Sequence, residues 1–435
     1  MSILVLIYIL NYIDRNNAAA ARLRGFERDL HLEGTQFASI LSVLYVGYIL
    51  MQVPSNMFLN YVGKPSLYLP ACMVVWGLIS VGTGLATGFL GALVARFFLG
   101  FVEAAFFPGA LFLLSRWYTR SELSQRTAIL TSGSLLSNAF GSLIASAILD
   151  SMQGVLGYAA WRWLFFVEGS MTVVVAIASI WILPDFPETP SNWLTPKEQA
   201  LAVRRMEEEA AISTLYEAKV TESNGLRLAL ADGKVWWLAS TLFCIVVCLS
   251  FNAYFPTLSA TMGFNRTITL LLCAPPWIFA TAVALAVSRH SDRVGERFSH
   301  IVMPFLVGIL GFAMAMSTMN TGIRYVSLFL MAQSYAGFIC FLAWASSSIA
   351  HPPAKRAVGL AFINAFSSLG NIPGSYVWPL SWGPSYWNSY AICILMISIA
   401  IFMCYRFRRH LAQLNESKRQ LEEQRGEPAG YRYLL

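Results

Sequence analysis

Charge is scarce in this chain. Asp, Glu, Lys and Arg together make up 12% of its 435 residues, about half the share of an ordinary soluble domain. That scarcity, with 57% hydrophobic residues and a mean hydropathy of +0.57, excludes a soluble globular class and points to a polytopic helical membrane protein. Cysteine occurs seven times, but without a CxxC pair or a Cys/His spacing for metal. Cys72, Cys244, Cys248 and Cys340 fall within apolar runs and read as small packing residues, so neither a metal site nor a cofactor is expected. No nucleophile–base pair or phosphate-cradling loop is present, which argues against an enzyme. Met1 runs into an apolar stretch with neither a basic n-region nor a small-residue cleavage site, so no cleavable signal peptide is expected.

What the chain does have is a succession of apolar runs of about 20 residues, the length that crosses a bilayer. They lie at roughly 2–21, 35–58, 67–87, 89–115, 127–149 and 162–183, then at roughly 236–258, 267–288, 301–319, 324–350, 358–379 and 389–405. The expected architecture is all-α and membrane-integral: an N-terminal six-helix half at 1–183, a cytoplasmic central loop at 184–234, a C-terminal six-helix half at 235–405 and a tail at 406–435. In the central stretch, Thr195 and Pro196 mark a helix start. Basic residues fall on alternate connections: Lys64; Arg116, Arg120 and Arg126; Arg204, Arg205 and Lys234; Arg289, Arg293 and Arg297; Lys355 and Arg356. Both termini are therefore expected in the cytoplasm. This pattern accounts for the net charge of +7 without nucleic acid. Arg22, Arg24 and Arg28 run against it, softened by Glu27, Asp29 and Glu33. Two halves of similar length suggest the repeat design of secondary carriers, with a mid-membrane site between them. A filter loop, as a channel would need, is missing.

Three clusters of charge interrupt the first half: Asp14 and Arg15 in the first run, Arg96 and Glu103 in the fourth, and Glu168 in the sixth. A charge at bilayer depth costs at least a few kcal/mol unless it is paired or lines a cavity. Asp14 lies ~20 Å into the first span at 1.5 Å per residue. Arg96 lies roughly 10 Å below the outer end of the antiparallel fourth span, a similar level. Glu103 is two turns from Arg96 on the same face, ~10 Å deeper. Such a ladder suits a carrier of anions and protons. Arginine stays charged and grips a carboxylate by two hydrogen bonds. An acid balanced between burial and a neighbouring arginine can load and release a proton. Asp14 and Glu103 are thus the proton-coupling candidates, and Arg15 and Arg96 the substrate cations. The competing reading is a static ion-pair network that pins the first helix to the fourth. Glu168, with Arg162 nearby, suits a structural network as well as coupling.

The second half holds no charge within its spans. Asn252, and Asn364 with Asn371 seven residues apart on one helix face, are candidate substrate contacts. Trp344, Tyr254 and Phe255 are candidate walls. The alternative for the asparagines is interhelical hydrogen bonding. Coupling is therefore expected in the first half and part of the selectivity in the second. The fifth span, TSGSLLSNAFGSL, is rich in small residues that let helices pack closely. Asn265-Arg266-Thr267 is a glycosylation sequon on a loop too short for ready modification.

Several segments resemble the major facilitator superfamily and, within it, the anion:cation symporter family. They are NYIDRNN, YILMQVPSNMFL, ARFFLGFVEAAFFPG, WRWLFFVEG and ILPDFPETPSNWLTPKE. SRHSDRVGERF resembles the superfamily's loop motif, which makes Asp292 and Arg293 the gating-loop candidates. The resemblance covers essentially the whole chain and is strongest to the fungal allantoate-permease branch, whose members carry carboxylates such as ureides, nicotinate or tartrate. It implies the major facilitator fold, with the two acids of the DR and fourth-span motifs, Asp14 and Glu103, linked to protons and the arginines to the anion. The chain departs from the pattern at NYVGKPSLY, which keeps Gly63 and Lys64 but lacks the Asp-Arg of the loop motif. The fifth span lacks the Gly-Pro element of proton/drug antiporters.

The leading expectation is a plasma-membrane symporter, acting as a monomer, that carries a small organic anion with protons. Export of a small acidic metabolite is the alternative. A non-transporting receptor on a carrier fold is the third.

Overall fold

A computed structural model of the chain describes residues 1–189, 194–217, 225–349, 353–425 and 432–435. Parts of the central stretch, 190–193 and 218–224, lie outside the described residues. The helices in chain order are α1 (Ser2–Arg22), α2 (Phe26–Asp29), α3 (Gln36–Val62), α4 (Pro65–Thr83), α5 (Phe89–Glu103), α6 (Phe106–Trp117), α7 (Arg120–Ser151), α8 (Ala160–Ile182), α9 (Pro196–Glu217) and α10 (Gly225–Ala231). They continue with α11 (Gly233–Leu249), α12 (Phe255–Ala260), α13 (Arg266–Leu271), α14 (Ala274–Val294), α15 (Phe298–Ser317), α16 (Thr321–Ala332), α17 (Tyr335–Ser348), α18 (Pro353–Ser368), α19 (Asn371–Ser375) and α20 (Trp387–Arg425). No strand occurs among the described residues. The chain divides into two compact units, 1–219 with 253–275 and 220–252 with 276–435.

Ten stretches among the described residues are long and apolar enough to cross a membrane. The two other expected spans fall short for different reasons. In α1 the charges Asp14 and Arg15 and the asparagines Asn11, Asn16 and Asn17 dilute an otherwise apolar 21-residue helix. Of these, Asn11, Asp14, Arg15 and Asn17 are buried. The eleventh span is broken at Leu369 and Gly370, which leaves α18 with 16 residues. The fourth, seventh, eighth and tenth spans are also interrupted, at Ala104–Ala105, Ser250–Tyr254, Leu272–Cys273 and Gln333–Ser334. Leu50, Met57, Val174 and Trp181 are exposed, as a lipid-facing surface requires.

In the first unit, two close helix contacts set the positions of the polar side chains. A Cβ on Gly100 would lie 1.9 Å from the Leu44 carbonyl oxygen, and one on Gly47 would lie 2.2 Å from the Phe97 oxygen. Only glycine allows α3 and α5 to approach this closely. Gly77 and Gly169 do the same for α4 and α8, where a Cβ on Gly169 would lie 2.7 Å from the Gly77 oxygen. Gly100→Val is expected to push α3 off α5 and cost at least 1–3 kcal/mol, the usual range for overpacking. A thermal unfolding midpoint unchanged from wild type would refute this dependence.

The arginines that break the charge pattern have local partners. Arg22 pairs with Glu27 at 2.9 Å and lies over the Phe37 and Tyr254 rings. Arg24 donates to the Leu149 carbonyl at 2.8 Å, and Arg28 pairs with Asp29. The start of α9 carries the expected cap: the Thr195 amide donates to Glu198 at 2.8 Å, and the Glu198 amide to the Thr195 hydroxyl at 3.4 Å. Asn265 of the sequon caps α13 through its side chain, which accepts from the Ile268 amide at 2.8 Å.

Candidate functional site

The charged residues of the first half gather around the middle of α1. Asp14 is fully buried. One of its oxygens accepts from Ser80 of α4 at 2.9 Å, the other from Thr172 of α8 at 2.7 Å. These donors come from the two helices that the Gly77–Gly169 contact presses together. Asp14 is therefore held by hydroxyls from two helices, while Arg15, its neighbour in sequence, points elsewhere.

Arg15 reaches α5. Its Nε lies 3.0 Å from Glu103 Oε2, and an Nη donates to the Asn11 side-chain oxygen at 3.4 Å. Tyr12 and Tyr48 each lie with their ring centroid 4.9 Å from the guanidinium carbon, and Tyr45 at 6.0 Å. A cation over tyrosine faces is stabilised by the ring quadrupole. Arg15 is 9% exposed, whereas Arg96 shows no exposed surface. The second oxygen of Glu103, Oε1, is buried without a hydrogen-bond partner among the described residues. A proton can be added there without breaking an existing bond.

Arg96 is used differently. Its Nη1 donates to the carbonyls of Asp14 at 3.3 Å and Arg15 at 3.0 Å, and its Nη2 to the Asn17 side chain at 2.6 Å. It thus clasps the backbone of α1 from α5, with Phe165 of α8 beneath it at 5.6 Å. This is the pinning arrangement that competed with a substrate role. Glu168 is buried and faces Asp14, Asn17 and Arg96. Arg162 does not join it: Arg162 donates to the Gly84 carbonyl at 2.7 Å and stacks on Trp161.

The second-half candidates lie on different elements. Asn252 sits in the turn that interrupts the seventh span. Asn364 lies on α18 and Asn371 opens α19, so the break between them removes the continuous helix face that their spacing implies. Asn371 donates to the Ser368 carbonyl at 3.2 Å. Trp344 is fully buried, and its indole donates to the Leu434 carbonyl at 2.9 Å. In the last turn of α14, Asp292 pairs across the following loop with Arg297 at 2.7 Å, while Arg293 is exposed.

Reading the sequence missed Tyr12, Tyr45 and Tyr48 around Arg15, and Ser80, Thr172 and Asn17 on the buried charges. Helical spacing held the signal. Tyr12 is three residues before Arg15, Tyr45 and Tyr48 share a face of α3, and Thr172 is one turn after Glu168. An acid beside the start of α4 was also missed. Asp185, in ILPDFPETP, accepts from the Ser66 amide at 3.0 Å, and its carbonyl takes the Trp117 indole at 2.9 Å. Arg116 pairs with Glu188 at 2.8 Å. The start of the central stretch therefore braces this end of the first unit.

Comparison with known proteins agrees with this architecture. The chain is 32% identical over 394 residues to the MFS-type transporter cnsO of Penicillium expansum, covering 87% of this chain and 75% of that one. It is 32% identical over 376 residues to a protein of Agrobacterium vitis named for tartrate transport, covering 85% and 83%. Its fold matches a bacterial homolog of the human lysosomal transporter Spinster, with a TM-score of 0.72 at 17% identity, over 94% of this chain and 96% of that one. These neighbours are transporters, not enzymes. The family model for the Major Facilitator Superfamily matches residues 4–375, and the chain belongs to that superfamily of membrane transporters.

Proposed function

We propose that this transporter carries a small organic anion, a carboxylate, together with protons into the cell. The observation that carries the reading is the buried Arg15–Glu103 pair. A permanent cation that is nearly desolvated needs a counter-anion, and removing that partner alone is costly. In the resting pair, Glu103 supplies the negative charge. When Glu103 takes a proton, Arg15 loses that charge and can accept a substrate carboxylate in its place by charge-assisted hydrogen bonds. Proton and anion then bind as a set, which is the requirement for symport. Tyr12, Tyr45 and Tyr48 shield the exchange from water and strengthen each electrostatic contact. Asp14, with a separate set of partners, is the second proton carrier.

A plasma-membrane location, cytoplasmic termini, action as a monomer and the symporter branch suggested by the sequence motifs belong to the same proposal. The name of the Agrobacterium relative supports a hydroxy-acid or related carboxylate as cargo. The test is uptake of radiolabelled tartrate, nicotinate and allantoate into cells expressing the protein, at acid and at neutral external pH. At least one should accumulate faster at acid pH and lose that advantage when a protonophore collapses the gradient. Efflux driven by the opposite gradient, without uptake, would replace this reading with export. Binding without counterflow would replace it with a receptor.

A further inference from the structure

We propose that the segment Arg432–Leu435 is a built-in latch that docks in a groove of the second unit and clamps the loop between α14 and α15. This is independent of which solute is carried.

The segment is held through its backbone at each step. The Asn415 side chain of α20 receives the Tyr433 amide at 2.8 Å and donates to the Tyr433 carbonyl at 2.9 Å, a two-point grip on the main chain. The next carbonyl, of Leu434, takes the indole of buried Trp344 on α17 at 2.9 Å. The Leu435 carbonyl receives the Arg297 amide at 2.8 Å, with the Phe298 amide at 3.4 Å. Those two amides open α15, where the helix dipole favours an acceptor. Side chains add to the grip. Arg432 pairs with Glu422 of α20. The Tyr433 hydroxyl accepts from Lys234 Nζ at 3.2 Å, with Lys234 and Lys418 against its ring at 4.8 and 4.7 Å.

The receiving groove is lined by side chains with partners of their own. Trp344 is braced edge-on by Phe407 at 5.1 Å, so its N–H is aimed before the segment arrives. Arg297 is where docking meets the loop. Its backbone amide holds Leu435, while its guanidinium holds Asp292 at 2.7 Å and the Ser291 hydroxyl at 3.0 Å. The Ser291 hydroxyl in turn donates to the Glu296 carbonyl at 2.7 Å. Docking therefore fixes the main chain of the residue whose side chain ties the loop together. Release leaves the side-chain contacts to hold it alone. Because every contact is an exchangeable hydrogen bond, ion pair or cation–ring contact, the latch is reversible.

The test is amide hydrogen exchange on the purified protein and three variants. Deleting 432–435 should speed exchange across 291–298 about tenfold. Trp344→Phe keeps a ring against Phe407 but removes the donor, and Asn415→Ala removes the two-point grip; each should give part of that rise. Deletion combined with Trp344→Phe should exchange no faster than deletion alone, since both act on one latch. Unchanged exchange on deletion would overturn the proposal. So would multiplied effects in the combined variant, which mean that Trp344 acts separately. A rise spread along all of α15 would also overturn it, because the segment would then be ordinary packing.

Discussion

Arg96→Ala is expected to cost the first unit its fold, whereas Arg15→Ala is expected to leave a folded protein that no longer transports. Arg96 is fully buried and holds two carbonyls of α1 and the Asn17 side chain. It is also the permanent cation facing Glu103, Asp14 and Glu168. Removing one partner from a buried charge arrangement costs about 3–5 kcal/mol, a large part of the 5–15 kcal/mol by which native domains are stable. Arg15 donates to side chains, Glu103 and Asn11, and not to the backbone of another helix, and the acid it leaves behind can take up a proton. The check is the yield and thermal midpoint of both variants in detergent, followed by uptake of whichever carboxylate the wild type accumulates. If Arg96→Ala melts at the wild-type temperature and has lost only substrate binding, Arg96 is the substrate cation and the clasp on α1 is incidental.

The contrast between the two arginines shows where the sequence stops being informative. Depth could be read from it: 1.5 Å per residue puts Asp14, Arg15 and Arg96 at one level, and the Arg96 guanidinium does meet the carbonyls of both Asp14 and Arg15. Direction could not. Asp14 and Arg15 are adjacent, so they point about 100° apart around α1. Which helix each one meets depends on the Gly47–Gly100 and Gly77–Gly169 contacts, and those are long-range. Glu103 was expected deeper than Arg15, yet the length of the arginine side chain closes the gap. The helix breaks were only partly legible. Gly370 lies in the break of the eleventh span, but Ala104–Ala105 and Gln333–Ser334 carry no breaker, and local packing decides them. The docking of Tyr433, Leu434 and Leu435 left no trace in the pattern, because the backbone and indole hydrogen bonds that hold them are long-range and a short segment after a long helix looks the same whether bound or free.

Neutralising either acid of the first unit should separate binding from coupling. Glu103→Gln keeps an amide oxygen that can accept from Arg15, and it removes the charge that competes with a substrate carboxylate. Asp14→Asn keeps one oxygen for Ser80 or Thr172, and the other hydroxyl can rotate to accept from the new amide. Both variants should therefore fold. A symporter completes its cycle only by releasing the proton before it returns empty or by reloading it outside. An acid fixed as neutral cannot do this, but it can still shuttle in the loaded form. Each variant should thus lose net uptake driven by a proton gradient, and at least one should retain exchange of labelled for unlabelled substrate. Glu103→Gln is the stronger candidate to retain exchange, since it mimics the state in which Arg15 is released from its resting charge. Loss of exchange in both would assign the acids to binding or structure. Unchanged gradient-driven uptake in both would remove them as coupling residues and move the test to Glu168, which is buried beside the same clasp and whose Oε2 has no hydrogen-bond partner among the described residues.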